Sequence, residues 1–177
     1  MKKIILYIAA SLDQHIAEPD GSTEWLSEFP ITEEMNYGYN EFMDSVDTIF
    51  MGGRSYREVL NMEIIEHYKD QQIYVVTREW TEKASDNVNF ISDNIIDRIH
   101  QLRNSEGKNI WLFGGGELVS MLLSADLIDE MQISYIPVIL GKGIPLFPEQ
   151  PKESKWELLE NTAHKSGVLT VKLRKSS

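Results

Sequence analysis

Three consecutive glycines, Gly114-Gly115-Gly116, close the apolar run Ile110-Trp111-Leu112-Phe113 and lead into Glu117-Leu118-Val119. Glycines at a strand-to-helix turn let the backbone approach a ligand closely, and the free N–H groups of a helix start favour phosphate. The stretch has neither the Gly-x-Gly-x-x-Gly spacing of the common dinucleotide fold nor the Gly-Lys-Ser/Thr ending of a P-loop. A tight turn with no ligand is the other reading of the same residues. The segment Met51-Gly52-Gly53-Arg54-Ser55-Tyr56 repeats the arrangement with a hydroxyl and a cation, and Tyr74-Val75-Val76-Thr77-Arg78 adds a second such pair. Ligands of open α/β sheets sit outside the carboxyl ends of the strands, so these three ends together suit one phosphate-bearing molecule. Taken singly, Arg54 and Arg78 are ordinary solvated arginines.

These residues need a sheet to bring them together, and the hydrophobic pattern supplies one. Apolar runs at Ile4–Ala10, Val46–Met51, Ile73–Thr77, Val88–Ile91, Ile110–Phe113 and Met131–Ile139 alternate with helix-period segments. The helical candidates are Thr32–Asp44, Tyr56–Asn61, Asp93–Ser105 with Asp93 as cap, and Glu117–Ser124. Alternation of this kind predicts an α/β domain with a mainly parallel central sheet. After Asp126 the helices stop, and Asp129–Val138, Lys155–His164 and Val168–Leu173 read as antiparallel C-terminal strands, the last two joined by a hairpin at Ser166-Gly167. The acidic stretch from Glu18 to Glu24 reads as a loop.

The chain has 177 residues, enough for one domain that buries roughly two thirds of the surface its unfolded form exposes. It has no cysteine, which excludes disulfides and thiolate chemistry and predicts a cytoplasmic address. With 28 acidic against 17 basic residues the net charge is -11, which repels polyanions and argues against nucleic acid or an anionic membrane as partner. His15, His67, His100 and His164 show no zinc-binding spacing, so no metal is expected and all four read as surface residues.

The string Ser11-Leu12-Asp13-Gln14-His15-Ile16-Ala17, then Gly21 and Trp25-Leu26, Met51 to Tyr56, Gly114 to Leu118 and Leu127-Ile128-Asp129-Glu130, resembles the dihydrofolate reductase-like superfamily. With Ile136-Pro137-Val138-Ile139-Leu140-Gly141-Lys142-Gly143-Ile144-Pro145-Leu146-Phe147, the likeness is closer to the riboflavin-biosynthesis reductase branch, the RibD C-terminal domain. The resemblance implies a dihydrofolate reductase-like three-layer α/β/α fold. It also implies NADPH-dependent hydride transfer to a small heterocyclic, imine or carbonyl substrate, as in 5-amino-6-(5-phosphoribosylamino)uracil reductase. Carried over by position, Ala9 and Ile16 flank the nicotinamide. Gly52, Arg54 and Ser55 hold phosphates, Thr77 and Arg78 face the adenosine 2′-phosphate, and Gly114, Gly115, Gly116 and Glu117 line the pyrophosphate. A hydroxyl beside a guanidinium suits a 2′-phosphate, where NADH would call for a carboxylate. The resemblance further implies a homodimer.

Reduction also needs a proton. Asp13 is the candidate catalytic residue, and a turn-stabilising carboxylate is the alternative for it. Asn36 stands where true dihydrofolate reductases place a carboxylic acid, and an amide cannot act as one. Trp25, Asn36, Tyr37 and Ser134 are candidates to line the substrate pocket; Trp25 also reads as a core-edge aromatic. The segment Arg57 to Glu66 is mostly apolar and acidic where a ribose-phosphate substrate calls for a basic cluster. A nucleotide-binding regulatory domain without turnover, and a true dihydrofolate reductase, are the competing functions.

Overall fold

The computed structural model describes residues 1–79, 83, 85–148 and 153–176. Six parallel strands form most of one sheet: β1 (Ile4–Ser11), β3 (Val46–Gly52), β4 (Gln72–Val76), β5 (Val88–Ile91), β6 (Asn109–Gly114) and β7 (Glu130–Ile136). A C-terminal hairpin of β9 (Trp156–Ala163) and β10 (Leu169–Lys175) extends it antiparallel, and the order is β5-β4-β3-β6-β1-β7-β10-β9. Between β1 and β3 lies β2 (His15–Ala17), which pairs with β8 (Ile144–Pro145) in a separate two-stranded ribbon.

Helices cover both faces, giving the expected three layers. On one face α3 (Ile95–Arg103) and α4 (Gly116–Ser124) pack Ile99, Leu118, Val119 and Leu122 against Ile4, Leu6, Ala10 and Leu112. On the other, α1 (Tyr39–Asp44) and α2 (Gly53–Asn61) pack Phe42, Tyr56 and Val59 against Ile5, Ile49, Met51 and Trp111. Successive β1 residues therefore serve opposite cores, which is why the central strands read as continuous apolar runs. A third, smaller cluster gathers Tyr37, Ile136 and Val168 with Ala9, Trp25 and Val138. Among the described residues no helix is long and apolar enough to cross a membrane.

The expected strands form within three residues of their predicted ends, the largest difference being the run to Ile139 where β7 stops at Ile136, and the hairpin turn falls at Ser166-Gly167, where Gly167 has φ 89° and His164 N–H donates to Val168 O at 2.9 Å. The helix expected over Thr32–Asp44 is corrected to Tyr39–Asp44. Thr32 Oγ1 does accept the Met35 N–H at 3.1 Å, but left-handed backbone at Tyr37 (φ 55°) and Gly38 (φ 77°) interrupts the turn that would follow. Asp93 does not cap α3: Asn94 is the cap position, at φ 45°, and its side chain makes no capping hydrogen bond. In turn α2 begins at Gly53, three residues ahead of Tyr56, because Gly52 stays extended and Gly53 already turns.

Candidate nucleotide site

Strands β4, β3 and β6 are consecutive neighbours in the sheet, so their carboxyl ends lie side by side. Gly52 sits opposite Val76 in the β3–β4 register, and Met51 opposite Gly114 in the β3–β6 register. The glycines make the junctions fit. A Cβ on Gly53 would fall 2.7 Å from Thr77 Oγ1, closer than any real side chain allows, so the first turn of α2 rests directly on the exit of β4. A Cβ on Gly115 would lie 3.5 Å from Ser55 Oγ and 3.9 Å from Gly52 Cα, which puts the triple-glycine turn against the β3–α2 junction. Gly114 (φ 127°) and Gly115 (φ 96°) adopt backbone that side chains rarely tolerate. Gly116 is buried and faces Pro145 O and Pro148, each 3.3 Å from where its Cβ would be, so that side of the turn is covered by protein. Gly52, Ser55, Thr77, Gly114 and Gly115 are thereby brought together.

The charges around this cradle are exposed and of both signs. Arg54 and Arg78 are exposed, and neither forms an ion pair among the described residues. Glu117 is exposed in the first turn of α4. Thr77 Oγ1 already accepts the Glu79 N–H at 3.1 Å and lies 3.2 Å from Glu79 O, a turn that orients the exit of β4. Sequence reasoning passed over Arg57: its Nη1 is 3.2 Å from Glu79 Oε2 and 3.7 Å from the point a Gly53 Cβ would occupy. Residues four apart share a helix face, so Arg57 follows from Gly53 once α2 is known to begin there.

Toward the other end of the row, β6 neighbours β1 and β1 neighbours β7, with Ala9 opposite Ser134. Ala9 packs in the small cluster with Trp25, Tyr37 and Val138. Ile16 packs instead with Ile8 and Leu146 in the α3–α4 core, so the two residues expected to flank one ring belong to different apolar clusters. Trp25 Nε1 is buried with no hydrogen-bond partner among the described residues. Tyr37 is buried, and its hydroxyl lies 3.2 Å from Ser166 Oγ. Ser134 and Thr170, both buried, share a 3.1 Å hydrogen bond, and Thr170 Oγ1 is 3.1 Å from His164 Nε2. His15 and His164 are partly buried, which corrects the expectation that all four histidines are surface residues.

The candidate catalytic residue and one of the candidate pocket residues are turn residues. Asn36 Oδ1 accepts the Gly38 N–H at 2.8 Å, holding the left-handed pair that leads into α1. Asp13 accepts from the Ser11 hydroxyl (2.6 Å), the Leu140 N–H (3.1 Å) and the Gly141 N–H (2.8 Å), while His15 Nδ1 is 3.2 Å away but not aligned for a hydrogen bond. The Ser11 hydroxyl and the two backbone donors hold the Asp13 carboxyl well below the usual carboxylate range, against a smaller opposing effect of burial. An ionised carboxylate with both oxygens engaged has no proton to give. The alternative reading of Asp13, a turn-stabilising carboxylate, is the one the geometry fits.

The family model of the RibD C-terminal domain matches residues 2–170. The chain is 41% identical over 157 residues to Uncharacterized protein YwjB of Bacillus subtilis (strain 168), covering 89% of each. It is 29% identical to Uncharacterized protein YyaP of the same organism, over 96% of this chain and 93% of that one. Among solved structures it is similar to a Shewanella sp. PV-4 protein whose name assigns it provisionally to riboflavin biosynthesis, with a TM-score of 0.87, 28% identity and 99% of both chains covered. A Thermotoga maritima diaminohydroxyphosphoribosylaminopyrimidine deaminase/5-amino-6-(5-phosphoribosylamino)uracil reductase shares the fold at a TM-score of 0.71 and 16% identity, over 99% of this chain and 57% of that one.

Proposed function

Because the chain belongs to the RibD C-terminal domain family, we propose that it is an NADPH-dependent reductase acting on a small planar heterocycle, imine or carbonyl compound. The observation that carries this reading is the meeting of three strand ends: Gly115 against Ser55 and Gly52, and Gly53 against Thr77. Five adjacent strand ends, from β4 to β7, span about 19 Å at the usual strand spacing, a length suited to an extended dinucleotide. In this reading the Gly114–Gly115 turn and Ser55 hold the pyrophosphate through backbone N–H groups and a hydroxyl. Arg54, Thr77 and Arg78 hold the adenosine phosphate, and Ala9 meets the carboxamide of the nicotinamide. When bound, the cofactor supplies a hydride.

The chain's own part at the acceptor end is to exclude water and place a proton. Ala9, Trp25, Tyr37 and Val138 form an apolar wall there, and Ser134, opposite Ala9, is the hydroxyl nearest in register. Through Thr170 that hydroxyl connects to His164, so a proton held at His164 Nε2 has a path of two hydroxyls to the acceptor. Fluorescence titration with NADPH and NADH tests the reading. Saturable binding is expected, and no binding of either at millimolar concentration would overturn it.

A regulatory domain that binds the nucleotide without turnover is the second reading, favoured by the ionised, fully engaged Asp13 and the turn-bound Asn36. Tight NADPH binding with no oxidation across a panel of pterins, pyrimidines and small carbonyl compounds would select it. For assembly we propose a homodimer through the C-terminal hairpin. Every residue of β9 except Trp156 is exposed, including Leu158 and Leu159, and long exposed edges of this kind invite pairing. Light scattering that gives a 20.4 kDa particle would remove the dimer.

A further inference from the structure

The exit of β4 carries both kinds of side chain that distinguish the two nicotinamide nucleotides. Thr77 and Arg78 offer a hydroxyl and a guanidinium, which favour a 2′-phosphate, but Glu79 follows directly, and a carboxylate at such a strand end favours an unphosphorylated ribose. Glu79 points its Oε2 at Arg57 Nη1, 3.2 Å away, and that Nη1 lies beside Gly53, 3.7 Å from where a Cβ would stand. A side chain at residue 53 would collide with Thr77, while the Arg57 Nη1 is at ordinary contact distance from it, so Gly53, Arg57 and the β4 exit are packed together. Both partners stay largely solvated, with 46% of the Arg57 side chain and 78% of the Glu79 side chain exposed. A pair that exposed holds only weakly, and a doubly charged phosphate competes well for the guanidinium.

We propose that Arg57 and Glu79 form an exchangeable pair that sets which nicotinamide nucleotide the protein prefers. Arg57 leaves Glu79 to clasp the 2′-phosphate of NADPH, and Glu79 opposes that phosphate and accepts the ribose hydroxyls of NADH instead. The balance between the two side chains, added to the fixed contribution of Thr77 and Arg78, decides the ratio of affinities. The proposal rests on the nucleotide-binding reading above, and its consequences have opposite signs at the two residues, which a merely structural pair would not produce.

The test is fluorescence titration of wild type, Arg57→Gln and Glu79→Gln with NADPH and with NADH, at low salt and again at high salt, with thermal unfolding to confirm that each variant folds. Arg57→Gln is expected to weaken NADPH binding about tenfold and leave NADH binding nearly unchanged, the loss shrinking at high salt. Glu79→Gln is expected to tighten NADPH binding several-fold and weaken NADH binding. If wild type binds neither nucleotide, the functional reading itself fails. If wild type binds NADPH but both variants shift the two affinities in parallel, or Glu79→Gln weakens NADPH, the selectivity pair is overturned while the nucleotide site stands.

Discussion

The Gly141 N–H donates to Asp13 Oδ2 at 2.8 Å across 128 residues of chain, so one carboxylate fastens the loop before β8 to the turn between β1 and β2. Folding holds the Asp13 carboxyl below its unfolded value of 3.8, chiefly through the Ser11 hydroxyl and with help from the Leu140 and Gly141 N–H groups. A carboxyl whose folded value is depressed adds stability above its unfolded value and loses it as pH falls through the folded one. Asp13→Asn is therefore expected to lower Tm at neutral pH, with the gap to wild type closing progressively below pH 3.8. Thermal unfolding from about pH 7 to about pH 3 checks this. A variant that matches wild type at neutral pH would show that the turn does not depend on the charge.

At the β3–α2 junction the relevant contact is steric. Gly53→Ala places a methyl 2.7 Å from Thr77 Oγ1 and 3.0 Å from Thr77 Cβ, with Gly53 opening α2 and Thr77 directly following β4, its N–H donating to Ile91 O at 3.0 Å. The expected cost is about 1–3 kcal/mol, in the range of overpacked sites. Thr77→Ala removes the closer of the two atoms, so the double variant is expected to be more stable than the sum of the single changes, as denaturant titration of the four proteins would read. Simple additivity would mean that the two junctions are not in contact.

The amino ends of the same strands offer a control. Lys2 is buried, and its Nζ reaches Asp47 Oδ1 at 2.8 Å and Thr48 Oγ1 at 3.3 Å, while Lys108 N–H donates to Asp47 Oδ2 at 2.7 Å. Burial pushes the Asp47 carboxyl up, but the Lys2 and Thr48 hydrogen bonds and the Lys108 N–H outweigh it and leave the group more acidic than usual. Lys2→Met strips the cation and leaves the carboxylate uncompensated, at a cost of about 2 kcal/mol once the partial exposure of Asp47 is allowed for. Nucleotide affinity is expected to stay at the wild-type level, because the pair lies at the opposite end of the strands from the cradle. A joint loss of stability and affinity would show that the two ends of the sheet are coupled.

The parallel sheet was legible because strands buried on both faces leave unbroken apolar runs, and Ile4–Ala10 or Ile110–Phe113 cannot be mistaken for surface. What escaped was decided by contacts between distant residues. The left-handed backbone at Tyr37 and Gly38 has a local part, Asn36 Oδ1 accepting the Gly38 N–H two residues on, and a distant part, the cluster with Ile136 and Val168 that buries Tyr37, which no local pattern reveals. Asp13 was visible as a carboxylate at a strand exit, yet its three donors include two from residues 140 and 141, which no local pattern connects to it. The β2–β8 ribbon is too short to carry a period. The cradle itself was found by glycine spacing, whereas Arg57 required knowing that α2 begins at Gly53 and not at Tyr56.

Trp25 offers the most direct probe of the acceptor end. Its indole Nε1 is buried without a partner among the described residues, while the ring packs with Ala9, Tyr37 and Val138. An unpaired buried donor costs about 1–3 kcal/mol, so Trp25→Phe relieves that penalty while giving up the contacts of the larger ring. The two effects oppose each other, and the net change in stability is expected to stay within about 1 kcal/mol. Because Ala9 and Trp25 share a cluster, a nicotinamide seated at Ala9 lies within energy-transfer reach of the indole. Trp25→Phe should then bind NADPH with the wild-type affinity measured by calorimetry, yet lose much of the quenching of protein fluorescence that titration produces. Full quenching in the variant would place the ring elsewhere, near another of the four tryptophans. A stability loss well beyond that of the ring contacts would mean that the Nε1 N–H has a partner in solution.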